Sequence, residues 1–190
     1  MKVLLGVSGG IAAYKAADLT SHLVKAGAQL RVVLTPSALH FIGPLTFEAL
    51  SGHPVMVDTF ATGGAPGGVS AVEHIAWAKW ADVAVLAPTT ASTLGKLANG
   101  IADNALLTVW LALPGDVPQL ICPAMNTAMW EHPAVQDSLH TLERHGRYTV
   151  VAPVAKRLAC GDVGVGGLAE VPDIVAAVLA ARPPGASTGR

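Results

Sequence analysis

Short, largely apolar runs recur along the chain, each closing on glycine, proline or a hydroxyl residue. They are Val3 to Val7, Leu30 to Leu34, Val83 to Leu86, Gln119 to Cys122 and Tyr148 to Val151. Runs of this length, bounded by turn residues, read as buried strands. Between them the apolar side chains take helical spacing: Ile11 to Lys25, stopped at Gly27, then Thr46 to Leu50, His74 to Trp80, Ser92 to Ala98 and Asp103 to Leu111. Further helical stretches follow at Asn126 to Met129, Ala134 to His145 and Val171 to Ala181. Ala61 to Ser70 (ATGGAPGGVS) reads as a mobile glycine-rich loop, and Pro183 to Arg190 as a disordered end. Strands alternate with helices, and the strands are apolar throughout rather than at every second position. That is the signature of a parallel sheet covered on both faces. The expected fold is α/β: a Rossmann-like (flavodoxin-like) doubly wound parallel sheet in a single domain. The domain spans residues 1–181, with 182–190 a disordered tail or linker remnant.

Open sheets of this kind bind ligands beyond the carboxyl ends of their strands, so the residues just after each apolar run carry the chemistry. Gly6-Val7-Ser8-Gly9-Gly10 follows the first run and opens a helix. Glycines there let backbone approach a ligand, and a helix N-terminus attracts phosphate. The run is not G-x-G-x-x-G, and the second strand ends in Thr35-Pro36-Ser37 rather than the acidic residue a dinucleotide ribose needs. Hydroxyls suit a phosphate monoester, so a mononucleotide is favoured over NAD. The same run fits G-x-S-x-G, with Ser8 as a hydrolase nucleophile; a plain strand–helix turn fits it too. Thr89-Thr90-Ala91-Ser92-Thr93 follows the next strand, where Ser92 or Thr93 either caps a helix or binds ligand. Pro123 ends the run Leu120 to Cys122, and Asn126 follows it. An amide holds a carboxylate without adding charge; it also caps helices.

Two residues off the strand ends stand out. His74 opens an apolar helix, where a histidine is either structural or catalytic. Cys160 lies in a stretch with four glycines between residues 161 and 167, which reads as a pliable flap presenting the thiol.

Composition narrows the class. The chain has 190 residues, 52% of them hydrophobic and 13% charged, against about 25% charged in ordinary domains. Its mean hydropathy is +0.49. No apolar run reaches the ~18 residues of a membrane span, so low charge points to surface hidden in subunit contacts. A net charge of −1 without a Lys/Arg cluster argues against nucleic-acid binding. Two cysteines make no disulfide framework, no metal-binding cluster is visible, and Met1-Lys2 leads straight into a strand. A cytoplasmic location and no membrane partner are expected.

Five runs, in order over nearly the whole chain, resemble one family. They are Gly6 to Lys15 (GVSGGIAAYK), Pro44 to Pro54 (PLTFEALSGHP), His74 to Lys96 (HIAWAKWADVAVLAPTTASTLGK), Pro123 to Trp130 (PAMNTAMW) and Arg157 to Glu170 (RLACGDVGVGGLAE). The family is the flavin-dependent cysteine decarboxylases, and within it the branch that decarboxylates phosphopantothenoylcysteine in coenzyme A biosynthesis. The resemblance implies catalytic roles for His74 and for Cys160 as proton donor. It implies substrate contacts at Asn126, Arg157 and Ala159. It places FMN against Gly9, Gly10, Ile11, Thr35, Ser37, Thr90, Ala91, Ser92, Thr93 and Ala124. It further implies a homotrimer or a dodecamer of trimers, with the histidine and the flavin site meeting across an interface. A phosphopantothenate-cysteine ligase, fused or separate, is the implied partner. Peptidyl-cysteine decarboxylases of the lantibiotic type and regulatory FMN-binding proteins share the pattern; the Arg157 to Asp162 run favours the coenzyme A branch. Bacterial members usually carry Arg where Gly167 stands and Met where Leu168 stands, and plant members also lack that Arg.

Overall fold

A computed structural model describes residues 1–59, 73–157 and 163–181. The loop expected at Ala61 to Ser70, residues Ala159 and Cys160, and the tail from 182 lie outside the described residues.

Six parallel strands form the main sheet: β1 (Lys2–Val7), β2 (Gln29–Leu34), β3 (Val55–Met56), β4 (Val83–Thr89), β5 (Gln119–Pro123) and β6 (Tyr148–Val150). Their spatial order is β3-β2-β1-β4-β5-β6, the Rossmann order, which reverses direction at β1 and β4. Alternate residues of each strand feed opposite cores. Val3, Leu5 and Val7, with Leu30, Val32 and Leu34, pack under the helices α1 (Tyr14–Lys25), α2 (Pro44–Ser51) and α8 (Val171–Ala180). Leu4, Val33, Ala84 and Leu86 pack on the other face, against α3 (Glu73–Trp80), α4 (Ala91–Ala98), α5 (Ala105–Leu111) and α7 (Pro133–Arg144). The short α6 (Thr127–Trp130) sits between β5 and α7. Burial on both faces is why the strands carry no polar alternation. Among the described residues no helix is long and apolar enough to cross a membrane.

Local chemistry sets the boundaries. A 3-10 turn at Ile11–Ala13 leads into α1. The helix ends where Gly27 takes φ +84°, with Gly27 N–H donating to Val24 O and Ala28 N–H to Leu23 O. This double bond is a Schellman ending, which needs a residue tolerant of positive φ. Gly6 has another reason: a Cβ there would meet Leu86 Cδ1 and Trp110 Cζ3 at 2.8 Å.

Three features depart from the sequence reading. Val55–Met56 adds an edge strand. β4 runs on through Pro88 to Thr89, with a register irregularity after Leu86; the irregularity accommodates a proline inside the ladder. The stretch read as a pliable flap holds a strand, β8 (Val163–Gly167), paired antiparallel with β7 (Val154–Arg157). Its glycines mark close approaches rather than slack. A side chain at Gly164 would collide with Thr127, and one at Gly166, where φ is +143°, with Met125 O.

Candidate active site

The carboxyl ends of β2, β1, β4 and β5 stand side by side and surround a cavity of about 970 Å³. Its floor is laced together by main chain and one serine. Ser8, fully buried, donates from Oγ to Pro88 O at 2.7 Å and accepts from Thr90 N–H at 2.9 Å. Thr35 N–H donates to Val7 O, Ala124 N–H to Thr89 O and Met125 N–H to Gly166 O. Ser8 is therefore a joint between β1 and β4. Its one proton is committed to Pro88 O, and the fully buried side chain does not line the cavity, which ends the hydrolase reading.

Each strand end contributes a different group. After β1, Gly10 occupies the cap position and offers no side-chain acceptor to the first turn, so the amides there are left for an anion. Gly9 is packed against the turn after β2: a Cβ would lie 2.5 Å from Ser37 O and Ser37 Cβ. After β2, Thr35 Oγ1 accepts from Ala38 N–H at 3.3 Å. After β4, the cap is Thr90, not Ser92 or Thr93: Thr90 Oγ1 accepts from Thr93 N–H at 3.5 Å and lies 3.2 Å from Thr93 Oγ1. After β5, Asn126 caps α6, with Oδ1 accepting from Met129 N–H at 2.8 Å. The two readings of Asn126 are thus compatible. The cap uses the carbonyl oxygen and fixes the amide's orientation, so the NH2 group is what remains for a ligand.

All ten cofactor positions expected from sequence line this one cavity: Gly9, Gly10, Ile11, Thr35, Ser37, Thr90, Ala91, Ser92, Thr93 and Ala124; so does Asn126. His74 does not. It lines an adjoining cavity of about 560 Å³ with Asp58, Thr59 and Thr108; Pro36, Asp103 and Asn104 line both. Within one chain, then, His74 and Asn126 are on opposite sides of a shared wall. Arg157 ends β7, while Ala159 and Cys160 lie outside the described residues. The other cysteine, Cys122, is fully buried, and burial pushes its thiol far above the usual range. It is not a source of thiolate.

Sequence reasoning missed the charged part of the wall. Lys96 pairs with Asp103, holding that carboxyl below its ordinary range chiefly through their hydrogen bond. Asn104 donates to Asp103 Oδ1 at 3.0 Å and accepts from Leu107 N–H at 3.1 Å, capping α5. Lys15 and Lys156 also line the cavity. Lysine in an amphipathic helix or a short hairpin looks like an ordinary solvated side chain, so no local signal singles these out.

The residues fit a flavin mononucleotide. Uncapped amides at a helix start and neighbouring hydroxyls suit its phosphate and ribityl chain. Gly9, Gly10, Ala91 and Ala124 keep the wall low, with at most a methyl group, for a flat ring system.

The model of one family, the flavoproteins, matches residues 1–182. The chain belongs to the flavoprotein family. It is 50% identical over 173 residues to the "Coenzyme A biosynthesis bifunctional protein CoaBC" of Bacillus subtilis, covering 91% of this chain and 41% of that protein. It is 46% identical over 174 residues to the "Probable phosphopantothenoylcysteine decarboxylase" of Streptococcus mutans, covering 92% and 94%. The chain thus spans about two fifths of the bifunctional relative and nearly all of the shorter one. Among solved structures, a mutant PPC decarboxylase complexed with pantothenoylaminoethenethiol matches with a TM-score of 0.81 and 38% identity, over 94% of this chain and 96% of that one. The FMN binding protein AtHal3 matches with a TM-score of 0.78 and 38% identity, over 94% and 95%.

Membership in this flavoprotein family makes Gly9 a sharp probe of the cradle. Gly9→Ala is expected to force the Thr35–Ser37 turn away from β1, at a cost of about 1–3 kcal/mol. The purified variant should carry little flavin and melt several degrees lower. Full flavin content by the ratio of visible to ultraviolet absorbance would show that the turn gives way freely.

Proposed function

We propose that this chain is an FMN-dependent decarboxylase that converts 4′-phosphopantothenoylcysteine to 4′-phosphopantetheine, a step of coenzyme A biosynthesis. The observation that carries the reading is Asn126. It has its carbonyl oxygen committed to Met129 N–H and lines the same cavity as the uncapped helix start. One cavity thus offers a phosphate cradle for a flavin and a neutral carboxylate grip close by. The 46% identity to a relative of matching length supports the choice of substrate.

Bound FMN supplies reversible two-electron chemistry, through which the cysteinyl side chain is oxidised to a thioaldehyde before CO2 leaves and reduced again afterwards. The chain's own residues do the rest. Asn126 donates to the carboxylate and orients the Cα–carboxyl bond. Those hydrogen bonds weaken as the charged carboxylate becomes neutral CO2, so the group is released rather than retained. His74 takes the thiol proton or holds the thiolate in place. Cys160 returns a proton to the enethiolate left by decarboxylation, with Arg157 and Ala159 flanking the substrate.

The experiment is to incubate the protein, loaded with its flavin, with phosphopantothenoylcysteine and to weigh the product. Loss of the mass of CO2 supports the reading. Unchanged substrate, with a cysteine-ended peptide decarboxylated instead, would overturn the substrate assignment. The Cys160→Ser variant should still lose CO2 but release a product two mass units lighter, because the serine hydroxyl is a far weaker acid than a thiol of ordinary pKa about 8.5.

We also propose a homotrimer, or a dodecamer built of trimers, with His74 of one subunit completing the flavin cavity of another. Two exposed apolar side chains line the cavity, Ile11 at 62% and Tyr14 at 61%, and Leu45 on α2 is 74% exposed. Burying them is favourable at roughly 25 cal/mol per Å². Sedimentation should give a multiple of three times 19.3 kDa; an active monomer would refute the arrangement. Relatives that carry a second activity on one chain support a phosphopantothenate-cysteine ligase, fused or separate, as functional partner.

A further inference from the structure

We propose that Lys156 and Lys15, tied together through Glu170, form the site for the phosphomonoester end of the substrate. The proposal rests on the decarboxylase reading and names a part of the site that reading leaves open.

Gly167 is the last residue of β8. Its backbone is outside the positive-φ region, so no turn requires glycine there. What requires it is Lys156, whose side chain crosses the hairpin: a Cβ on residue 167 would lie 2.7 Å from Lys156 Cγ and 2.9 Å from Lys156 Cδ. The bare edge of β8 is a channel for a lysine. Lys156 Nζ then donates to Leu168 O at 2.7 Å and to Glu170 Oε1 at 3.2 Å. From the start of α1, Lys15 Nζ reaches the other oxygen, Glu170 Oε2, at 3.5 Å. Two ammonium groups converge on one carboxylate.

Both lysines line the cavity and Glu170 does not. Lys96, the third cation on the wall, is already matched by Asp103. The Lys15–Glu170–Lys156 group therefore carries one uncompensated positive charge. It also carries unused donors: an ammonium has three N–H bonds, and the contacts above use two on Lys156 and one on Lys15. Burial, and then the neighbouring Lys15, pull the Lys156 ammonium below its ordinary pKa, while Lys156 and Glu170 hold that of Lys15 above its own against the pull of burial, so the two lysines share one carboxylate unequally. A phosphomonoester dianion supplies both the charge and the acceptors.

Position separates the Lys156 end of this site from the cofactor's phosphate. The uncapped amides belong to Gly10 and the turn after it, whereas Lys156 is on the hairpin that bonds to Met125, next to Asn126. A ligand gripped at its carboxylate by Asn126 can extend along β8 toward the lysines. A side chain at residue 167 and the Lys156 chain would occupy the same space, so the cation reaches the site from β7, the opposite strand of the hairpin.

The test uses calorimetry on the flavin-loaded protein, with 4′-phosphopantetheine and pantetheine as probes. The native protein should bind the phosphorylated probe at least about tenfold more tightly, the worth of one charge-assisted hydrogen bond. Lys156→Met should reduce that preference below about threefold, with pantetheine bound as before. Lys156→Arg should keep it, and the double variant Lys156→Gly/Gly167→Arg should restore it. Lys25→Met, ten residues along α1 from Lys15 and so roughly 15 Å away, should leave it intact. Equal native affinity for both probes, or an undiminished preference in Lys156→Met, overturns the proposal. So does parallel loss of FMN from Lys156→Met, which would assign the cation to the cofactor's phosphate. Failure of the decarboxylase reading is visible separately, as native protein that prefers the phosphorylated probe yet releases no CO2 from phosphopantothenoylcysteine.

Discussion

Replacing His74 with asparagine is expected to lower decarboxylation by about 10²–10⁴-fold, the usual worth of a positioned acid or base, while FMN stays bound. His74 is the second residue of α3 and lines the cavity beyond the Pro36–Asp103–Asn104 wall. No strand-end residue that fits the flavin lies on that side except those of the shared wall. The side chain can therefore be changed without touching the helix start, the Thr90 cap or the Gly9–Ser37 contact. Asparagine keeps a polar group of similar reach and loses only the ring nitrogens that move a proton. The measurement is kcat/KM together with the flavin absorbance of the same preparation. A yellow, inactive protein supports a role in chemistry. Native turnover would make His74 a structural residue of α3, and loss of flavin would place it in the cradle. If the histidine acts across a subunit contact, mixing His74→Asn with an Asn126 variant should recover part of the activity, since mixed trimers then contain sites with both native residues.

Much of this was legible because a parallel sheet has a simple code. Strands buried on both faces must be largely apolar, as Val3 to Val7 and Val83 to Leu86 are, and the loops at their carboxyl ends must hold the polar residues that do chemistry. That rule alone gathers Gly9, Thr35, Thr90 and Asn126 at one end of the molecule, where the structure has them lining one cavity. What stayed hidden depends on contacts between distant segments. Nothing near Ser8 says that its hydroxyl bridges to Pro88 and Thr90, 80 and 82 residues away. The glycines at 164, 166 and 167 read as slack because the atoms that crowd them, on Thr127, Met125 and Lys156, are remote in sequence or across a hairpin. Likewise Thr90 rather than Ser92 caps α4: β4 runs through Pro88 to Thr89, Thr90 alone joins it to the helix, and α4 starts at Ala91, one residue before the start read from the sequence. The separation of His74 from Asn126 is of another kind: it is what the proposed sharing of the site between subunits would leave in a single chain.

Replacing Asn126 with aspartate is expected to cut kcat/KM by about 10³-fold or more while leaving the fold and the flavin untouched. The substitution is nearly isosteric, and it preserves the structural half of the residue's work. Oδ1 of Asn126 accepts Met129 N–H at 2.8 Å, and the backbone there has the extended φ −72°, ψ 161° of a cap. Aspartate caps as well as asparagine, so α6 and the β5 end should hold their places and the melting temperature should change little. The other half is lost. The NH2 group becomes a second carboxylate oxygen, which removes the donors that grip the substrate and sets a negative charge against its carboxylate. At about 4 Å and an effective dielectric constant of 20 the repulsion is about 4 kcal/mol, close to three powers of ten in binding. Asn126→Ala makes the comparison decisive. It removes the donors without adding charge, and it also removes the cap, at about 0.5–2 kcal/mol of stability. The expected order is that alanine melts lower than aspartate, whereas aspartate has the lower activity. A residue that served only as a cap would give the opposite result: alanine impaired through instability, and aspartate turning over at the native rate with the native melting temperature.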